Sequence, residues 1–358
     1  MKVKSILFAL SFCVIGCDNH SEEDFQIGKM YYDGESTTQD YAKAMEYFIK
    51  AAKKGNSDAQ NYIGLMYFFG NGITQDYKKA MEWYLKAEKK GNSDAQVYIG
   101  DLYSFGNGIT QDYKKAMEWY LKAAEQDNIL AQYRIGDMYF NGDGVTQDST
   151  KAMEWYKKAA EQGHSEAQYN IGDMYYKGDG VTQDSTKAAE WFEKAAEQGV
   201  TEAQFNLGLM YVHGDGVTHD YEKAFNWFEK AAEEGDDMSQ LWLGYLYYHG
   251  NGVAKDYKKA AEWFEKAAEQ GVKNAQYELG SMYYYGTGIS NDYKKAAKWF
   301  EKAAEQGDIT SQCKIGYMYY KGEGVEQDYA KATEWFKKAD EAGNNLSQLY
   351  LSLTDLLE

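Results

Sequence analysis

Residues 66–87 read MYFFGNGITQDYKKAMEWYLKA, and residues 102–123 read LYSFGNGITQDYKKAMEWYLKA, 36 positions later. Outward from this pair, Gly64, Gly100, Gly136, Gly172, Gly208, Gly244, Gly280 and Gly316 keep the same step, and Gly28 extends it backward. Trp83, Trp119, Trp155, Trp191, Trp227, Trp263, Trp299 and Trp335 keep it too, with Tyr47 in the first copy. Self-similarity at a period of this length marks stacked supersecondary units. The units run 21–56, 57–92 and onward to 309–344, with a closing partial unit over 345–358.

Each unit reads as two helices. Ala59, Ile63, Met66 and Tyr67 fall at i, i+4, i+7 and i+8, one buried helical stripe. Ser57 and Gln60 fit an S-x-x-Q capping box at its start. Ser93/Gln96, Ser165/Gln168 and Thr201/Gln204 repeat the box, while Ile129, Lys273 and Ile309 keep only the glutamine. Gly64 beside the stripe admits a close neighbour, and Gly70 and Gly72 end the helix. Ile73 is expected to plug the loop into the core. Asp76 caps a second helix whose buried stripe reads Ala80, Trp83, Tyr84 and Ala87, closed by Gly91. One such hairpin cannot bury both faces, so neighbours must stack and the ends need polar caps. The first unit, with Glu35 and Ser36 in its loop, reads as the N-terminal cap, and residues 345–358 as the C-terminal one.

Composition agrees. The 358 residues contain no proline and 34 tyrosines. Proline inside a helix costs about 3 kcal/mol, so its absence favours uninterrupted helices. A formal net charge of -18 repels phosphate backbones and excludes nucleic acid as an expected partner. The first 17 residues, MKVKSILFALSFCVIGC, place Lys2 and Lys4 ahead of an apolar run over 5–16. That run is too short for a stable membrane span and fits a secretory signal. Val14, Ile15, Gly16 and Cys17 resemble the bacterial lipobox, which implies cleavage before Cys17, acylation of that residue, and a lipid-anchored protein facing the periplasm. Several acyl chains, at about 0.8 kcal/mol per buried methylene, hold such an anchor in the membrane. Asp18 resembles an inner-membrane retention signal. The expected organisation is a lipoprotein signal over 1–16, a short tether over 17–24, and a solenoid of about nine repeats with a capping helix over 25–358. Cys313 is then left alone in the mature domain, read as a small buried side chain, with no partner for an intrachain disulfide.

The unit A-x-x-x-[IL]-G-x-x-Y-x-x-G-x-G-[IV]-x-x-D-x-x-K-A-x-x-W-x-x-K-A-A-x-x-G is similar to the Sel1-like repeat. Ala167, Ile171, Gly172, Tyr175, Gly178, Gly180, Val181, Asp184, Lys187, Ala188, Trp191, Lys194, Ala195, Ala196 and Gly199 show it in one copy. The resemblance implies an all-α fold, a right-handed α/α superhelical solenoid related to tetratricopeptide repeats. It also implies an adaptor that holds peptides or partner proteins in bacterial envelope assembly or host interaction.

Partner choice belongs to positions the scaffold does not need. At 100° per residue, positions 58, 61, 65, 68 and 69 lie opposite the buried stripe, on the face that lines the concave groove in the related repeat. Position 65 supplies Asp101, Asp137 and Asp173, then Leu209, Tyr245, Ser281 and Tyr317. Position 61 supplies Tyr133, Tyr169, Phe205, Leu241 and Tyr277; position 68 supplies Phe140, Tyr176, Val212, Tyr248, Tyr284 and Tyr320; position 69 supplies His213, His249 and Tyr285. An acidic ladder thus passes into an aromatic floor, a surface suited to an extended protein or peptide segment with a basic part. Tyrosines that only pack between adjacent helices are the plain alternative. Trp242 falls at the groove edge, where packing or anchoring would both suit it.

Catalysis finds little footing. His20, His164, His213, His219 and His249 are scattered, and no metal site or cofactor is expected. The GDGVTQD loops lack the alternating ligands and terminal glutamate of a calcium loop. Ser311-Gln312-Cys313-Lys314 fits S-x-x-K, the nucleophile motif of β-lactamases, an activity associated with cysteine-rich relatives of the repeat. However, Ser311 sits in the buried stripe and no S-D-N or K-T-G accompanies it. Peptidoglycan is the alternative ligand, since Tyr, Trp and Asp surfaces also bind glycans.

Overall fold

The computed structural model describes residues 19–35 and 37–343. The expected signal over 1–16, Cys17, Asp18, Ser36 and the closing helix over 345–358 lie outside them. Among the described residues there are eighteen helices and no strand, arranged as tandem hairpins of a solenoid. The first helices of the hairpins are α1 (Asn19–Asp33), α3 (Ser57–Phe69), α5 (Ser93–Phe105), α7 (Ile129–Asn141), α9 (Ser165–Lys177), α11 (Thr201–His213), α13 (Asp237–His249), α15 (Lys273–Tyr285) and α17 (Ile309–Lys321). The second are α2 (Tyr41–Lys53), α4 (Tyr77–Glu88), α6 (Tyr113–Ala124), α8 (Ser149–Glu161), α10 (Ser185–Glu197), α12 (Tyr221–Glu233), α14 (Tyr257–Glu269), α16 (Tyr293–Glu305) and α18 (Tyr329–Glu341). Because α1 begins at Asn19, residues 19–24 of the expected tether are helix. The described residues divide into two compact blocks, one up to Ala167 and one from Gln168 onward.

Local chemistry starts and stops these helices. Asp76 Oδ1 accepts from the Lys79 amide at 3.0 Å and caps α4, as its counterparts Asp112 and Asp148 cap α6 and α8. Gly70 takes φ 76° and donates its amide to the Met66 carbonyl, a left-handed stop that a side chain would strain. Gly64 is set by packing: a Cβ there would lie 2.4 Å from the Tyr84 ring, and at Gly208 2.6 Å from Phe228. So each first helix rests its glycine on the buried ring of its own second helix. Ile73 packs at the margin of the first core cluster.

Two expectations need correction. The S-x-x-Q box does not cap the first helices. Asn56, Asn92 and Asn128 do so, each accepting from the amide three residues on, and Asp236 and Asp308 act alike ahead of α13 and α17. The turn after Gly55 leaves Asn56 extended (φ -67°, ψ 119°), so Ser57 is already the first helical residue. The glutamine instead turns into the joint between repeats. Gln240 Nε2 donates to the Ala232 carbonyl at 3.3 Å, and Gln240 Oε1 accepts from Gln270 Nε2 at 2.9 Å. Gln276 repeats both bonds, with Ala268 and Gln306. The second correction concerns the tryptophans. Trp83 is half-buried rather than part of the inner stripe, and Lys86 Nζ sits 3.7 Å from its ring centroid; Trp155/Lys158 and Trp263/Lys266 match it. Tyr84 and Ala87 fill the inner positions.

Candidate functional site

In the N-terminal block the expected acidic ladder is drawn into the protein. Asp101 is 4% exposed and accepts from the Tyr120 hydroxyl at 2.7 Å. Asp137 accepts from the Tyr156 hydroxyl at 2.8 Å. Between them stands Arg134, with Nε 3.1 Å from Asp101 and Nη1 3.9 Å from Asp137. Burial pushes the Asp137 carboxyl up to about 6, outweighing the Tyr156 bond and an arginine held closer to Asp101. Burial raises Asp101 as well, against Arg134 and Tyr120. Both carboxylates are therefore engaged inside the chain. Tyr133 lies flat against His164, ring centroids 4.4 Å apart. What this block does show to solvent is Phe69 and Phe105, 57% and 58% exposed at the ends of α3 and α5.

In the C-terminal block, Tyr169, Asp173, Tyr176, Leu209 and His213 are brought together. With Lys177, Phe192, Asn206, Met210 and Asp215 they line a cleft of about 450 Å³ between α9 and α11. Phe192 and Met210 form its floor, almost without exposure, while Tyr176 is 40% exposed at the rim. Lys177 Nζ pairs with Asp173 at 2.8 Å. Phe205 packs beside this cleft, 5.9 Å from the Phe228 ring.

The remaining aromatics form smaller groups. Tyr245 meets Phe264 edge-on at 5.3 Å and donates its hydroxyl to Glu278 at 3.4 Å. Tyr277 leans on Phe300 at 6.0 Å, and Tyr248 meets His249 and Tyr257 edge-on. Tyr284 donates to Glu323 at 2.8 Å, while Lys314 Nζ donates to the Tyr285 hydroxyl at 2.7 Å and lies near both rings. Lys321 Nζ stands 5.9 Å from the Tyr317 centroid. Trp242 stacks on Phe228 at 5.7 Å, a packing contact. Cys313 is half-buried.

The wheel put position 62 and its equivalents at the groove edge but singled out only Trp242; Arg134, Asn206, Glu278 and Lys314 of the same column contact or line several of the groups just described. Their signal was present: this column runs through Tyr, Arg, Asn, Trp, Glu and Lys, and Arg134 is the chain's one arginine. Ser311 is fully buried with its hydroxyl unpartnered, and Lys314 is directed to Tyr285, so S-x-x-K forms no nucleophile–base pair. Among the described residues, no group of three or more His, Cys, Asp or Glu side chains could hold a metal ion.

Comparison with known proteins places this architecture. The Sel1 repeat model matches nine consecutive segments, from residues 25–56 through 57–92 to 309–344. The chain belongs to the Sel1 repeat family. Proteins of this family are generally protein–protein interaction scaffolds, and the solenoid is typically non-catalytic. A Sel1 repeat protein from Oxalobacter formigenes is 30% identical, with TM-score 0.62, over 99% of this chain and 98% of that one. The protein c5321, a protective antigen of uropathogenic Escherichia coli with an SLR fold, is 37% identical, with TM-score 0.55, over 95% of this chain and 81% of that one. Among curated proteins, none matches the chain.

Proposed function

We propose that this Sel1 repeat protein is a lipid-anchored scaffold of the bacterial envelope that holds a peptide or protein segment along its first-helix face. The observation that carries the binding reading is the cleft between α9 and α11. It joins an apolar floor to an aromatic and charged rim, and it collects five of the side chains that vary between repeats. Concave sites with few placed polar groups are where ligands settle. The net charge of -18 favours a partner segment with basic residues. Lys2, Lys4, the apolar run and Cys17 support the anchor, and Asp18 favours the inner membrane.

Photoreactive residues placed at Tyr176 and Tyr285 in the full-length protein in cells test the binding face. A discrete protein partner captured from both positions, and not from the exposed Glu193 on α10, is expected. Capture of peptidoglycan alone, or equal capture from Glu193, would overturn this reading. Cys17→Ala is expected to move the protein from the membrane to the soluble fraction; unchanged partition sinks the anchor.

A further inference from the structure

Within each repeat, the core ring of the second helix is followed fourteen residues later by the position-62 equivalent on the next first helix. Where that residue is aromatic, it lies over the ring. Tyr62 packs on Phe48 at 5.1 Å, Tyr98 stacks on Tyr84 at 5.4 Å, and Trp242 stacks on Phe228 at 5.7 Å with the planes 7° apart. Elsewhere in the C-terminal block other groups fill the place. Tyr245 meets Phe264 edge-on and ties to Glu278, and Tyr277 and Tyr284 both reach Phe300.

Phe192 keeps the contact from its own hairpin, Tyr169 at 5.6 Å, but has no aromatic follower. Its follower is Asn206, beside the Tyr169 hydroxyl; the residue placed under it as Tyr245 is placed under Phe264 is Asp173, and the residue one turn on from the follower is Leu209, where the next repeat has Tyr245. Asn206 is shorter than the indole that covers Phe228, and Leu209 is shorter than the Tyr245 that flanks that indole at 6.0 Å. The cleft of about 450 Å³ lies where the neighbouring repeat has its indole. An indole or phenyl ring fits such a volume and gains by stacking and by burying its area.

We infer that this cleft receives an aromatic side chain, tryptophan best, from a partner segment that carries an adjacent arginine or lysine. The ring would lie over Phe192 as Trp242 lies over Phe228, with Tyr169 and Tyr176 flanking it. Charge selects the neighbour. Asp173 is neutralised by Lys177 at 2.8 Å, so Asp215, exposed at the rim, carries the net negative charge of the lining. The cationic neighbour of the ring meets that carboxylate. This inference rests on the proposed binding role and specifies its chemistry.

The two repeats can be exchanged as a test. The probe is the blocked peptide Gly-Arg-Trp-Arg-Gly, titrated calorimetrically into the full mature chain. Its analogues carry alanine for tryptophan, or glutamate for both arginines. One site is expected, with either analogue weaker by about tenfold or more. Asn206→Trp, which builds in the ring, is expected to abolish binding, while Asn206→Ala keeps it; circular dichroism checks that both fold. Trp242→Asn combined with Asn251→Asp, which uncovers Phe228 and supplies the rim carboxylate, is expected to open an equivalent cleft there and raise the stoichiometry toward two. Equal binding of the tryptophan and alanine peptides, or unaltered binding by Asn206→Trp, overturns the inference. Partner capture at Tyr176 separates this from the broader reading. If Asn206→Trp captures the cellular partner as well as the native protein does, the ring cleft is wrong and the scaffold role stands. Peptide binding that follows the expected pattern without any partner capture leaves the cleft and removes the scaffold role.

Discussion

Asp137 shows what one residue can do in a repeat that otherwise copies itself. Its carboxyl sits at about 6 when folded, because burial disfavours the charge, against about 4 in an unfolded chain. The folded chain therefore holds this proton more tightly. The stability the group contributes is fully present below about pH 4 and is lost as pH rises through about 6. Asp137→Asn keeps an oxygen to accept from Tyr156 but cannot ionise. The variant and native chains are expected to melt alike near pH 4, with the variant more stable at pH 7 by about 1–3 kcal/mol. Melting curves across that range check it; a constant difference between the two proteins would refute it. The acidic caps such as Asp76 shift the other way, held low by the Lys79 amide, and lose their contribution as pH falls, equally in both proteins. A helical wheel put Asp101 and Asp137 on an open face because it knows only one helix. It cannot report that Tyr120 and Tyr156, nineteen residues on, bring their hydroxyls up beneath those carboxylates.

At the scale of an element, the joint between repeats is a glutamine ladder with gaps. Gln168, Gln240 and Gln276 each accept from a glutamine thirty residues later, namely Gln198, Gln270 and Gln306. Gln204 should accept from position 234, but Glu234 stands there, and the buried Gln204 Oε1 has no hydrogen-bond partner. A carboxylate offers no donor, whereas an amide in the same place would satisfy a buried acceptor. Glu234→Gln is expected to complete the rung and stabilise the protein by about 0.5–1.5 kcal/mol. Urea midpoints at pH 7 measure it, and a gain of similar size from Glu234→Ala would show that relief of charge, not the new bond, is responsible. Helix existence, period, aspartate caps and glycine stops were all legible in the sequence, because each depends on residues within one or two turns. The glutamine was legible as a recurring residue but not by role. S-x-x-Q is locally self-consistent, and only the stacked neighbour shows that Ala232 and Gln270 lie within reach. Position 62 was legible as the groove edge at Trp242 but not by role, since its meaning is the ring it covers in the preceding hairpin.

At the scale of the whole molecule, a chain whose contacts run mainly to adjacent helices should tolerate loss of a complete unit. Stability in such arrays is approximately a sum of repeat and interface terms. Removal of residues 237–272 tests this within the C-terminal block. The cut joins Asp236 to Lys273, so Asp236, which accepts from the Ser239 amide in α13, meets the start of α15. There it replaces Val272, which supplies no side-chain cap. The new joint is well matched in its other parts. Gln276 takes the place of Gln240 facing the Ala232 carbonyl, and Leu279 takes that of Leu243 in the buried stripe. Glu278 replaces Trp242 over Phe228, which uncovers that ring to the extent that no other side chain fills the space. The shortened protein is expected to keep the helical signal per residue of the parent and to unfold cooperatively in urea. Its m-value should fall by about one ninth, in proportion to the surface no longer buried. A collapse of helical signal, or a loss of cooperativity, would show that the repeats depend on more than their neighbours.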